Sequence, residues 1–135
     1  IERFSNIQIP DDRNWLMLGD FNYIRYPSNR NREGGGINDM LLFNEAISSL
    51  GLLEIPFKGR AFTWSNMKIA PLLEKLDWVF TSEAWTSTFP NTMVLPLSKP
   101  ISNHIPCIIK IGTTIPNQRS SGLKTIGCRL IVLKT

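Results

Sequence analysis

The run Trp15-Leu16-Met17-Leu18 constrains this chain most, because successive large apolar side chains that stop abruptly at Gly19-Asp20-Phe21-Asn22 describe a buried strand with a polar end. Residues i and i+2 of a strand share a face, so Asp20 and Asn22 are expected to project together from its carboxyl end. A carboxylate and a carboxamide side by side there can hold a water, a metal ion or a phosphate oxygen. The plain alternative is a polar turn that merely closes the strand.

Downstream, apolar runs and chain breakers alternate at short intervals. Arg25 to Gly36 is polar and ends Glu33-Gly34-Gly35-Gly36, so it reads as a solvated loop from which no packed element is built. Met40, Phe43, Ile47 and Leu50 recur at helical spacing, with Asn38 or Asp39 as cap and Gly51 placed to end the helix in a left-handed conformation. The spacing predicts a helix over 39–50 covering one face of a sheet. Leu52 to Ile55 and Ala61 to Ser65 flank a Pro56 to Arg60 turn and read as strands, as does Leu76 to Phe80. Thr81 to Phe89 reads as a short helix capped by Ser82, Met93 to Leu97 as a strand, and Ile105 to Ile111 as a strand whose unbroken apolar character fits burial on both faces. The fold class is therefore α/β. Trp64, Trp78 and Trp85 are expected as core or interface anchors rather than base-stacking platforms.

Leu76-Asp77-Trp78 and Ser102-Asn103-His104 are two further polar places, each attached to a strand-like run. With Asp20 and Asn22 they resemble the endonuclease/exonuclease/phosphatase superfamily, whose members carry Gly-Asp-Phe-Asn, Arg-Leu-Asp and Ser-Asp-His in that order. Lys58-Gly59-Arg60-Ala61-Phe62-Thr63-Trp64-Ser65-Asn66 is similar to the Gly-Arg-x-Phe-Thr-Trp-Ser-Asn run in the endonuclease domains of plant LINE-type (non-LTR) retrotransposons, as are Phe89-Pro90 and Leu95-Pro96. The resemblance spans roughly residues 10 to 111. It implies a four-layer α/β sandwich of two similar halves, of which this chain is a partial sandwich matching the second. Residues 1–112 are then the C-terminal half of such a domain, and 113–135 a tail outside it.

The resemblance also implies roles. Asp20 helps activate the attacking water, Asn22 helps hold the scissile phosphate, and Asp77 orients His104, the only histidine, whose imidazole contacts phosphate. Asn22 and His104 are thus both catalytic and substrate-binding. A phosphodiester needs a base for water, hydrogen-bonding or cationic groups for the charge that builds on its oxygens, and often Mg²⁺ as Lewis acid. Position 103 departs from the family: Asn103 stands where an Asp would help hold the divalent cation, and a carboxamide carries no charge. Lys75 replaces the family's Arg, a milder change. The first half, which would bring an early Asn and the metal-ligating Glu, lies outside the match, so Mg²⁺ is the family's cofactor with little left here to bind it. Arg30 and Arg32, with Arg25 and the asparagines between, are the candidates for contact with a DNA backbone.

The function implied is a fragment of a Mg²⁺-dependent DNA endonuclease of a LINE-type retroelement, a hydrolase of phosphodiesters that is inactive as this chain. Two alternatives stay open: an active phosphodiesterase or phosphatase completed by a missing N-terminal half, and a non-catalytic nucleic-acid-binding module. DNA is the partner the family implies, with an intracellular, nuclear location. A chain of 135 residues suffices for one domain. Its net charge of +4 is compatible with nucleic acid but common among proteins that bind none. No apolar run approaches the roughly 20 residues of a membrane span, and the start carries no basic-then-apolar secretory segment. Cys107 and Cys128 imply no disulfide framework, and Cys107 is expected as a buried, reduced thiol.

Beyond Ile111 the family continues into a segment like Arg-Phe-Glu-Asn-Tyr-Trp-Leu, whereas this chain reads Gly122-Leu123-Lys124-Thr125-Ile126-Gly127-Cys128. The codons CGG TTT GAA AAC TAT TGG CTG, entered one base later, become GGT TTG AAA ACT ATT GGC TG, which encodes residues 122 to 127 and opens a Cys codon. Residues 119–135, which contain four basic residues and no acid, are therefore read as the product of a frameshift near residues 117 to 121. Sequencing the coding DNA checks this: the shifted frame is expected to encode a Phe-Glu-Asn-like run, and its absence there rules the frameshift out.

Overall fold

In the computed structural model, which describes residues 14–98, 102–112 and 129–133, the apolar run becomes β1 (Trp15–Asp20), an inner strand of a four-stranded sheet. Its neighbours are β5 (Asp77–Thr81), antiparallel, and β8 (Arg129–Leu133), parallel; β2 (Leu53–Glu54) pairs with the far side of β5. Successive side chains of a strand point to opposite faces, and both faces here are covered. Trp15 and Met17 pack with Trp78 and Phe80 of β5 against Phe43 and Ile47 of helix α1 (Ile37–Ser49). Leu16 and Val79 face the other way, onto Trp85 and Phe89 of the segment containing α2 (Glu83–Thr88) and onto Val94 of β6 (Asn91–Pro96). Antiparallel β7 (Cys107–Gly112) completes that layer beside β6. The fold is mixed α/β with more strand than helix.

Phe43 and Phe80 are fully buried, and Trp78, Val79 and Leu16 nearly so; each such side chain contributes about 1.5–3 kcal/mol by leaving water. Trp78 and Trp85 are core residues, as expected, while Trp64 is half-buried against Ile24, Met40 and Leu76. One ion cluster reaches into this core. Glu54 pairs with Arg25 at 2.7 Å and with Lys75 at 2.6 Å, and the Lys75 ammonium lies 4.2 Å from the centre of the Trp78 ring. A buried lysine is tolerated only when its charge is met in this way.

Several elements differ from the sequence expectation. Helix α1 opens at Ile37, with Gly36 as cap and no side-chain cap bond, rather than behind Asn38 or Asp39. Gly34 and Gly35 take positive φ and swing the chain into the helix early, leaving Asp39 in the first turn, where its charge complements the helix dipole. The Arg25 to Gly36 segment is more ordered than a solvated loop. A short 3-10 turn spans Pro27–Asn29, and the Asn29 side chain accepts from the N–H groups of Arg25 and Tyr26. The Asn31 side chain donates to the Pro71 carbonyl and accepts from Leu73 N–H. These asparagines replace strand partners with their own amides. Only Trp64–Ser65 of the expected strand over 61–65 forms (β3), and it is paired with a strand the sequence does not predict, β4 (Leu73–Glu74).

The strand at residues 105–111 is not covered on both faces. Cys107 and Ile109 join the core, but Ile108, opposite Leu95, is 45% exposed, so the β6–β7 pair presents an open apolar outer side. Cys107 is a half-buried free thiol. Within residues 119–135, placed by the sequence outside the family-like pattern, Arg129–Leu133 runs parallel beside β1. The frameshift point and Cys128 lie outside the described residues, as does the start of the chain. No helix among the described residues is long and apolar enough to cross a membrane.

The end of α1 agrees with expectation in detail. Gly51, at φ 62°, donates to the Ser48 carbonyl, and Leu52 donates to Ile47 while packing against it. A Cβ at Gly51 would meet nothing within 4 Å, so substitution there tests backbone conformation alone. Gly51→Ala is expected to destabilise the protein by about 1–2 kcal/mol in urea denaturation, and Gly51→Asn by less. An alanine variant as stable as the parent contradicts the left-handed cap.

Candidate functional site

The register of β1 on β5 ends with Asp20 opposite Asp77, which brings two carboxylates to the same end of the sheet. A third strand-like segment closes on them. Trp64 bridges to His104, Ser65 N–H donates to the Asn103 carbonyl at 3.0 Å, and Ile105 N–H donates to the Thr63 carbonyl at 3.0 Å, so residues 103–105 lie along β3. This delivers the imidazole between the two acids. His104 Nδ1 stands 3.0 Å from Asp77 Oδ2 and Nε2 stands 3.4 Å from Asp20 Oδ2. The three side chains are 15–32% exposed, open enough for a ligand and sheltered enough for their charges to act on each other.

Asn22 reaches the neighbourhood by a route different from the expected one. The strand stops at Asp20, Phe21 turns into the core edge-on to Phe80, and Asn22 takes φ 59°. Its N–H donates to Asp20 Oδ1 at 2.9 Å, a side-chain turn that replaces strand alternation as the link between them. The Asn22 side chain is exposed at the mouth of a small cavity it shares with Gly35, Gly36, Asp39 and Glu74. Asn103 is exposed. Arg30 pairs with Glu74 at 3.5 Å and Arg32 donates to the Ala70 carbonyl, so both guanidinium groups are engaged within the protein.

Sequence reasoning missed Thr63. It is fully buried, and its Oγ1 accepts from the N–H of Leu76 at 3.1 Å and of Asp77 at 3.0 Å. Its position inside the Phe62-Thr63-Trp64 run was a signal for a strand but gave no hint of that hydroxyl's partners.

Burial pushes the Asp20 carboxyl above its ordinary value of 3.8; the Asn22 N–H opposes this, Asp77 adds to it, and His104 opposes it. Burial, then the charge of Asp77, likewise raises the Cys107 thiol, which keeps it protonated. Asp20, Asp77 and His104 form a group that could hold a metal ion, with one ligand atom each and all within 4.8 Å of one another. Two carboxylates in like-charge opposition gain from a cation held near them; their oxygens suit a hard cation, while the imidazole nitrogen does not select for one.

The pH dependence of stability follows with a definite sign. A carboxyl whose pKa rises on folding contributes stability below its unfolded pKa and loses it as pH climbs through the raised value. Asp20→Asn, measured without divalent metal, is therefore expected to raise the melting temperature at pH near 7 more than at pH near 3. An equal shift at both pH values contradicts the raised pKa. No protein-family model, no curated protein and no solved structure matches this chain, so the site is interpreted from its own geometry.

Proposed function

We propose that the chain carries the acid–base part of a Mg²⁺-dependent phosphodiesterase site acting on DNA, that of a LINE-type endonuclease in the endonuclease/exonuclease/phosphatase superfamily, within one half of the superfamily's four-layer sandwich. The observation that carries the reading is the imidazole of the only histidine held between two carboxylates from paired strands. An Asp77 carboxylate that accepts from Nδ1–H leaves Nε2 for chemistry and steadies the ring when it is protonated, the form that best meets an anionic phosphoryl group. Asp20, whose carboxyl is raised above its ordinary range by burial, is in its ionised form a stronger base than an exposed aspartate and is suited to take a proton from water. Asn22, exposed beside it, offers a carboxamide to a phosphoryl oxygen.

Asp20 and Asp77 would hold the cation, which supplies Lewis-acid stabilisation of charge on phosphate oxygens. Asn103 removes one negative charge from the place where the family has it. Turnover by this chain is therefore expected to be negligible. The engaged state of Arg30 and Arg32 argues against a module that binds nucleic acid through those two residues.

Plasmid nicking tests the reading. The 135-residue chain is expected to leave supercoiled DNA intact with Mg²⁺. Joined to a family N-terminal half and carrying Asn103→Asp, it is expected to nick, with activity falling by a factor of about 100 or more on Asp20→Ala or His104→Ala. A folded joined protein that does not nick, or that nicks equally without His104, overturns the assignment.

A further inference from the structure

We infer that Thr63 is the positioning residue of the Asp77–His104 pair, fixing both partners through one buried side chain and its own backbone. The inference deepens the reading above and rests on Asp77 and His104 being the working pair of the site.

Thr63 directly precedes β3 and has no accessible surface. Its N–H donates to the Glu74 carbonyl at 2.9 Å, its carbonyl accepts from Ile105 N–H at 3.0 Å, and its hydroxyl accepts from Leu76 and Asp77 N–H. Four bonds thus join one residue to the end of β4, the start of β5 and the residue after His104. Between Glu74 and Asp77 the chain leaves the β3–β4 hairpin and enters the four-stranded sheet. At such a corner the N–H groups of Leu76 and Asp77 lose ladder partners, and buried donors need an acceptor. A hydroxyl has two acceptor lone pairs and meets both.

The consequence for the site is geometric. Asp77 is tied to the Thr63 side chain, and the His104 segment is tied to the Thr63 carbonyl, so the 3.0 Å separation of Nδ1 from Oδ2 is set across a single residue. Threonine suits this better than serine in one respect, because its β-branch restricts χ1 and so aims the hydroxyl. Valine would keep the shape and remove the acceptor.

Because His104 is the only histidine, its ring nitrogens give one isolated set of signals in long-range ¹H–¹⁵N spectra of the 135-residue protein. Spectra taken in metal-free buffer along a pH series read the tautomer directly over the range where the ring shifts report a neutral imidazole. The parent and Thr63→Ser are expected to show the proton on Nδ1, facing Asp77. Thr63→Val is expected to shift the proton to Nε2, with a severalfold fall in the Nδ1–H to Nε2–H ratio and ring shifts like those of Asp77→Ala. A Thr63→Val protein that unfolds cooperatively yet keeps the parent's ring shifts overturns the inference. If the valine variant does not fold, the serine variant decides: retention of the Nδ1 proton supports the role of the hydroxyl, and release like that of Asp77→Ala overturns it. The spectra involve no turnover, so failure of DNA nicking leaves this result intact, and an unmoved ring in Thr63→Val leaves the nuclease reading standing.

Discussion

The pairing of β1 with β5 in a register that sets Asp20 against Asp77 is the constraint on which the remainder depends. A slip of one residue would turn Leu16, Met17, Trp78 and Val79 onto the wrong faces. Each face is occupied by a different partner, helix α1 on one side and the β6–β7 pair on the other, so neither layer would receive the side chains it fits. The apolar core thereby fixes the polar end. Two acids that repel each other are held in opposition because the strands behind them cannot move without exposing aromatic surface.

Side chains that serve as backbone partners do much of the remaining organisation. Asn29, Asn31, Thr63 and Ser82 each accept from main-chain N–H groups where no strand or helix neighbour is available. The Glu54 carboxylate works in a comparable way with charge, joining Arg25 of the loop to Lys75 at the entrance to β5. Lys75 is thus a structural cation packed on Trp78.

The legible parts were those governed by local apolar pattern or local turn chemistry. The β1 run, the Met40–Phe43–Ile47 stripe, the Ser82 cap and the Gly51 stop are each decided within a few residues, and the structure has them. The closeness of Asp20, Asp77 and His104 was expected only through a resemblance of motifs and could not follow from spacing alone, because it depends on strand pairing between distant segments. Three things stayed illegible for that reason. Asn22 leaves the strand because Asp20 captures its N–H; β4 exists because the asparagine-rich loop docks on it; β7 stays half open because nothing among the described residues lies over Ile108. An apolar run records what a strand tolerates, and says nothing of which face finds a partner.

The parallel contact between β1 and β8 has a consequence for the order of assembly. Trp15 pairs with Arg129, more than a hundred residues away, whereas its other neighbour, β5, follows at little more than half that separation. Closing the longer loop costs only about 0.5 kcal/mol more chain entropy than closing the shorter, so the order in which the segments are synthesised decides. The β1–β5 pair can therefore form early on a ribosome-bound chain while one edge of β1 waits, its backbone donors and acceptors bare, until residue 133 has emerged. During that interval an inner strand of the finished sheet is an adhesive edge.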